Sequence, residues 1–156
     1  MRIREFRAGD EAAFRDLNTE WISKYFVLEA KDLASFEDPG ATILAKGGRI
    51  FLAERDGVPV GCTALLMRGE GEFEIGKMAV TPAARGKGLG RRLMEHAVDA
   101  AKDLGAARLY IETHDSLLPA IGLYKSVGFQ EVPVERRVPS PYARANVFLE
   151  LWVRAD

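Results

Sequence analysis

The chain has little sulfur chemistry to offer: its 156 residues include one cysteine, Cys62, which cannot close an internal disulfide or build a cysteine-ligated metal cluster. Histidine is nearly as scarce. His96 and His114 are too few and too scattered for a metal site, so neither a metal nor redox chemistry is expected. Charge of one sign is also lacking, since 22 Lys and Arg stand against 23 Asp and Glu. A formal net charge of -1 leaves no field to gather nucleic acid or an anionic membrane. No apolar run approaches the roughly 20 residues of a spanning helix, and Met1 to Arg7 lacks the apolar stretch of a secretory leader. These absences predict a cytoplasmic protein without nucleic-acid or membrane partners, and the length predicts one domain over residues 1–156.

What the chain does have is periodicity. Arg2 to Phe6 reads as a strand, and Gly9-Asp10 offers an N-cap to a helix in which Phe14, Leu17, Trp21 and Tyr25 recur at helical spacing. Between Glu29 and Lys46 the spacing predicts a short helix capped at Asp32 and, past Asp38-Pro39-Gly40, a loop. Two apolar runs, 49–55 and 58–67, meet at Asp56-Gly57, a dipeptide suited to a tight hairpin turn. After a second turn at Arg68 to Gly71, Glu72 to Val80 continues the antiparallel set, and strict alternation puts Glu74, Gly76, Met78 and Val80 on one face.

A helical stripe of Leu89, Leu93, Ala97, Ala100, Ala101 and Leu104 follows, closed by Gly105, with His96 on its polar face. The strand from Arg108 to Thr113 should then lie parallel to the one before the helix, through a right-handed crossover. Pro119 opens a last helix carrying Ile121, Tyr124 and Val127, and closing strands are expected over Gln130 to Val134 and Asn146 to Val153. The fold class is α/β: a mixed, mostly antiparallel sheet of about six or seven strands flanked by about four helices.

Between a strand and a helix stands Arg85-Gly86-Lys87-Gly88-Leu89-Gly90. Glycines there let backbone N–H groups and a helix N-terminus converge on an anion. Arg85, Lys87, Arg91 and Arg92 crowd a helix start, where the macrodipole is already positive and acidic residues are the favoured neighbours. Four cations so placed call for an anionic guest. The pattern lacks the Lys-Ser/Thr ending of a P-loop and does not match G-x-G-x-x-G, which leaves a phosphate outside those two nucleotide folds.

These residues resemble the GNAT superfamily of N-acyltransferases: Arg85, Gly88 and Gly90 match its Arg/Gln-x-x-Gly-x-Gly/Ala pattern, and Ala120 to Phe129 is similar to its A-x-x-L-Y-x-x-x-G-F helix. The resemblance implies acetyl-CoA as co-substrate and no metal. Its pyrophosphate would lie on Arg85, Gly86, Lys87, Gly88, Leu89, Gly90 and Arg91, and its pantetheine arm and acetyl carbonyl along the main chain of Met78, Ala79 and Val80. Tyr124 would face the sulfur, where a phenol of pKa about 10 stays protonated and can donate to a departing thiolate.

An amine reacts only as the free base, so its proton needs an acceptor. Glu74 is the first candidate and Glu72 the second, both equally readable as carboxylates at a solvated strand edge; His114 is an auxiliary carrier, and Cys62 reads as core filling. In this family the acceptor pocket lies between the first helices and the loop before the final strand, which here offers Trp21, Tyr25, Phe26, Glu29, Tyr142, Arg144 and Asn146. Tyr25, Glu29, Tyr142 and Arg144 are the expected acceptor contacts, with Arg144 suited to the carboxylate of an amino-acid-like amine. Leu117 stands where many members carry an asparagine. The implied activity is acetyl transfer to a primary amine of a small molecule by direct attack in a ternary complex. A silent acyl-CoA sensor and an enzyme acting on protein lysines or N-termini are the alternatives, and a homodimer is left open.

Overall fold

The computed structural model describes residues 1–153. In chain order the strands are β1 (Arg2–Glu5), β2 (Arg49–Arg55), β3 (Val58–Gly69), β4 (Glu72–Val80), β5 (Arg108–Thr113), β6 (Gln130–Glu131) and β7 (Val147–Trp152). The helices are α1 (Glu11–Tyr25), α2 (Ala30–Glu37), α3 (Pro39–Thr42), α4 (Leu89–Asp103) and α5 (Leu118–Val127). The strands form one sheet in the order β1-β2-β3-β4-β5-β7-β6. Only β4 and β5 are parallel among these pairs, joined by the α4 crossover.

Local chemistry explains most of these elements. Asp56 and Gly57 take φ values of 53° and 77°, the positive pair that a two-residue hairpin turn between right-twisted strands requires. On α4, Leu89, Leu93, Met94, Ala97, Val98 and Ala101 are buried in one stripe. Met94, Ala97, Val98 and Ala101 pack with Phe73, Ile75, Leu109 and Ile111 on one sheet face, and Leu89 and Leu93 with Ala53 and Ala84. The other face is covered by Phe14, Leu17, Ile22 and Phe36 of α1 and α2, meeting Leu52, Cys62 and Ala64. Each fully buried Leu or Phe on either face contributes about 2 kcal/mol.

Several expectations are corrected. Asp10 precedes α1 without capping it, because its carboxylate accepts from Arg4 (2.7 and 3.0 Å) and from the Arg7 N–H (2.8 Å). Glu29, not Asp32, is the N-cap of α2; Asp32 sits three residues inside and completes a reciprocal capping box. The segment after Asp38 winds into α3, with Pro39 in its first turn and the Asp38 carboxylate accepting from Ala41 N–H. β6 stops at Glu131, and Val134–Arg136 after Pro133 forms a 3-10 turn instead of strand. Leu104 leaves the stripe at the end of α4, and His96 is half-buried against the Phe51 ring at 4.6 Å.

The largest correction is a bulge. Cys62 pairs with Ala79 while Ala64 pairs with Gly76, so Thr63 alone faces both Lys77 and Met78. Lys77 adopts φ 52°, left-handed for a residue with a Cβ. The extra residue reverses the alternation: Glu74 and Gly76 lie on the α1/α2 side of the sheet with Leu66, whereas Met78 and Val80 face α4.

Candidate active site

The parallel pair β4 and β5 is in register only over Glu72↔Arg108, Phe73↔Leu109 and Glu74↔Tyr110. Past that point the strands part, and among the described residues β4 from Ile75 to Val80 has no strand partner on its β5 side. A cavity of about 580 Å³ occupies the gap, within the range of small-molecule sites. Its lining includes Met78, Ala120 and Tyr124 from the α4/α5 side and Trp21, Phe26 and Ser35 from the α1/α2 side, so it joins the two faces of the sheet.

On the α4 side, the Tyr124 ring packs against the core beside Phe129, and burial pushes its phenol up to about 12. Among the described residues its hydroxyl takes no protein partner. It therefore remains a neutral donor at any physiological pH. On the opposite side, Glu74 accepts from Arg68 at 3.0 Å and is raised to about 7, chiefly because it is buried and secondarily because Glu112 is close; Arg68 offsets part of the rise. Glu112, with a side chain 4% exposed, accepts from Tyr110 Oη at 3.1 Å and from the Ser140 hydroxyl, and lies 3.9 Å from Arg68. Two carboxylates thus share one arginine at the floor of the cavity.

At the far end of β4, Gly86 and Gly88 take φ values of 77° and 76°, and a Cβ on either would meet open space. Gly88 is the N-cap of α4 without a side-chain cap, no acidic residue occupies the first turn, and the first helical bond runs from Arg92 N–H to Gly88. Among the described residues the N–H groups of Leu89, Gly90 and Arg91 take no backbone acceptor and are left for an anion.

With this geometry, residues 11–129 match the Acetyltransferase (GNAT) family. The chain belongs to that family. An IAA acetyltransferase from Azospirillum brasilense is 39% identical over 84 residues, 53% of this chain and 55% of that one. The chain spans about half the length of the curated relatives it matches. Among solved structures, a GNAT acetyltransferase from Staphylococcus aureus superposes with a TM-score of 0.88 at 19% identity, over 98% of this chain and 99% of that one. An acetyltransferase from Salmonella typhimurium holding its cofactor acetyl-CoA gives 0.72 at 23% identity, over 100% and 95%. At these identities the superpositions establish the fold. Among the described residues no helix of this GNAT chain is long and apolar enough to cross a membrane.

The GNAT chain distributes the expected site residues unevenly. Met78 and Tyr124 reach the cavity, and Ala79 and Val80 continue the unpaired edge. Leu89 is buried core, so only its main chain faces the turn. Arg85 is committed in part, its Nε donating to Val80 O at 3.0 Å and its guanidinium pairing with Glu20 at 3.2 Å; Arg91 donates to the Ser126 hydroxyl. Glu74 lines the cavity; Glu72 does not, being paired with Arg108 at 3.2 Å and nearly half exposed. Tyr25 is 55% exposed at the end of α1 and outside the lining, where Trp21 and Phe26 stand instead. Cys62 is fully buried and its thiol is pushed up to about 12, in keeping with core filling. His114 lines the cavity, its Nδ1 accepting from Ser116 N–H at 3.1 Å.

Tyr142 and Arg144 also line the cavity, but both are occupied. Arg144 donates to both oxygens of Asp32 at 2.7 Å and pairs with Glu29 at 3.4 Å. The Tyr142 hydroxyl accepts from Lys77 Nζ at 2.7 Å, and Lys77 also reaches Asp32 at 3.2 Å. Burial raises the Asp32 carboxyl, but Arg144, the Glu29 N–H and Lys77 together hold it below the usual carboxylate range. Glu29 accepts from Ala143 N–H at 3.0 Å, so its expected acceptor contact is replaced by a hold on the loop before β7. Asp32, Arg68, Lys77 and Glu112 were absent from the sequence-derived site. One signal for Glu112 exists, in the polar alternation of Arg108, Tyr110 and Glu112 along an otherwise apolar strand.

Proposed function

We propose that the protein transfers an acetyl group from acetyl-CoA to the primary amine of a small molecule by direct attack with both substrates bound, residues 1–156 acting as one catalytic domain. The observation carrying this reading is the split between β4 and β5, whose single cavity joins Tyr124 on one sheet face to Glu74 on the other. The turn fits the donor's pyrophosphate: free amides from Leu89 to Arg91, open space at Gly86 and Gly88, and the exposed cations Lys87 and Arg92. Acetyl-CoA supplies the activated thioester. The unpaired edge of Met78, Ala79 and Val80 offers main-chain groups to its arm, and aligned N–H donors there stabilise negative charge on an acyl oxygen.

Tyr124 holds its proton at the sulfur end and gives it to the leaving thiolate. Glu74 accepts the proton that the amine must lose, directly or through a water. A carboxylate raised to about 7 is half ionised at neutral pH and is a stronger base than one in water. Glu112 keeps a second negative charge beside it.

Thiol release from acetyl-CoA across an amine panel tests the reading. Tyr124→Phe is expected to lower kcat about 10- to 100-fold, with coenzyme A affinity by calorimetry retained. Unchanged turnover removes Tyr124 from the mechanism. Tight coenzyme A binding by the wild type without turnover of any amine would support the acyl-CoA sensor instead.

A further inference from the structure

The cavity walls carry five basic side chains, Lys31, Lys46, Arg68, Lys77 and Arg144. Three are already matched: Arg144 and Lys77 by Asp32, and Arg68 by Glu74. Lys31 on α2 and Lys46 in the 3-10 turn after α3 differ. Among the described residues neither has a carboxylate within ion-pair distance. Both border the α1/α2 end of the cavity, away from Tyr124, together with Ser35 and Thr42. The hydroxyls of those two donate to Lys31 O (2.9 Å) and Asp38 O (2.8 Å). In the α1 wall, Trp21 Nε1 is a buried N–H with no protein acceptor. Unmatched donors therefore line the cavity on its α1/α2 side, the side of the sheet on which Glu74 also stands.

We infer that the acceptor is a primary amine carrying an anionic group, a carboxylate or a phosphate ester, whose amine lies at Glu74 and whose anion lies between Lys31 and Lys46. This rests on the acetyl-transfer reading and changes which residues read the substrate. Arg144, the natural choice for a carboxylate, cannot serve without abandoning a bidentate partner and leaving buried Asp32 with only Lys77 and the Glu29 N–H. The two lysines are exposed and, among the described residues, break no ion pair by binding. A cation at the rim also attracts an anionic substrate from solution, and that attraction weakens with salt.

The test uses the full chain with acetyl-CoA and three acceptors of equal chain length: an alkylamine, the matching ω-amino acid and the matching aminoalkyl phosphate. An anionic member should exceed the alkylamine in kcat/KM by about 10-fold or more at low salt. Its identity separates carboxylate from phosphate. In the Lys31→Gln/Lys46→Gln double variant that ratio should collapse toward unity through KM of the anionic member, whereas Lys102→Gln on α4, outside the cavity, keeps it. Thermal shift with the same anions supplies a readout independent of turnover. Equal use of the alkylamine, or a ratio indifferent to both lysines, overturns the inference. If no amine is acetylated but lysine-dependent anion binding persists, the transfer reading fails and the anion site stands; if neither binding nor preference is seen, the site is rejected.

Discussion

The two halves of the β4–β5 pair are built from the same residue types and behave oppositely. In the closed half, where Glu72 to Glu74 pair with β5, Glu150 of neighbouring β7 accepts from Arg136 and from Arg108, the latter at 2.8 Å. Arg136, then Arg108, hold its carboxyl down to about 2 against the opposing effect of burial. At the opening, where Glu74 is the last residue of β4 paired with β5, that carboxylate has one arginine, which also faces Glu112, and is raised to about 7. Two cations to one carboxylate make a lock; one cation to two carboxylates makes a proton acceptor. The difference lies first in burial, which raises Glu74, and then in the number of cations per carboxylate, and both change where the strands stop pairing.

The sharpest way to break this contrast is Glu74→Gln, expected to lower kcat/KM about 100- to 1000-fold. The wild-type rate should rise with pH through about 7 as Glu74 loses its proton, and the variant should lack that limb. Stability runs the other way. A carboxyl raised in the fold binds its proton more tightly than in the unfolded chain, so the wild type loses stability as pH climbs from about 4.5 to about 7. Thermal melts at pH 8 should show the variant at least as stable as the wild type, and a clear loss there would dissolve the distinction.

Glu150→Gln probes the closed half. Removing the charge between two arginines should cost about 3 kcal/mol in urea unfolding at pH 7. Glu150 is depressed, so its contribution is present above its ordinary value near 4.5 and is lost as pH falls toward about 2, and the gap to the variant should narrow with acid. Acetylation at neutral pH should survive below the variant's melting temperature, since Glu150 does not line the cavity. The smallest expected effect is Gly88→Ala, about 1 kcal/mol of stability from the left-handed φ, accompanied by a several-fold rise in KM for acetyl-CoA with kcat little changed.

Features made by neighbouring residues were legible in sequence. The Asp56-Gly57 turn, the glycine turn from Arg85 to Gly90, the α4 stripe and the helix bearing Tyr124 each declare themselves within a few positions. The bulge does not. One extra residue in a strand has no characteristic side chain, and Lys77 is an improbable residue for a positive φ, so simple alternation put Glu74 with Met78 on one face. The Asp32 cluster was hidden for another reason, since its members are 45 and 112 positions apart and meet only once α2, β4 and the loop before β7 are assembled. Tyr25 shows the converse error: helical spacing held to the last turn of α1, but the turn had already run past the sheet.

The bulge at Lys77 and Met78 also determines which changes in chain length the protein can absorb. Hairpin tips such as Asp56-Gly57 face solvent and can gain or lose residues with local effects. Between Glu74 and Ala79 the count itself carries information, because parity decides which residues look toward the donor and which toward the amine. A single deletion can be absorbed there only at the bulge, where Thr63 would then face one residue and the Cys62–Ala79 and Ala64–Gly76 pairs would stand on their present faces, so this short stretch is constrained by arithmetic as well as by composition.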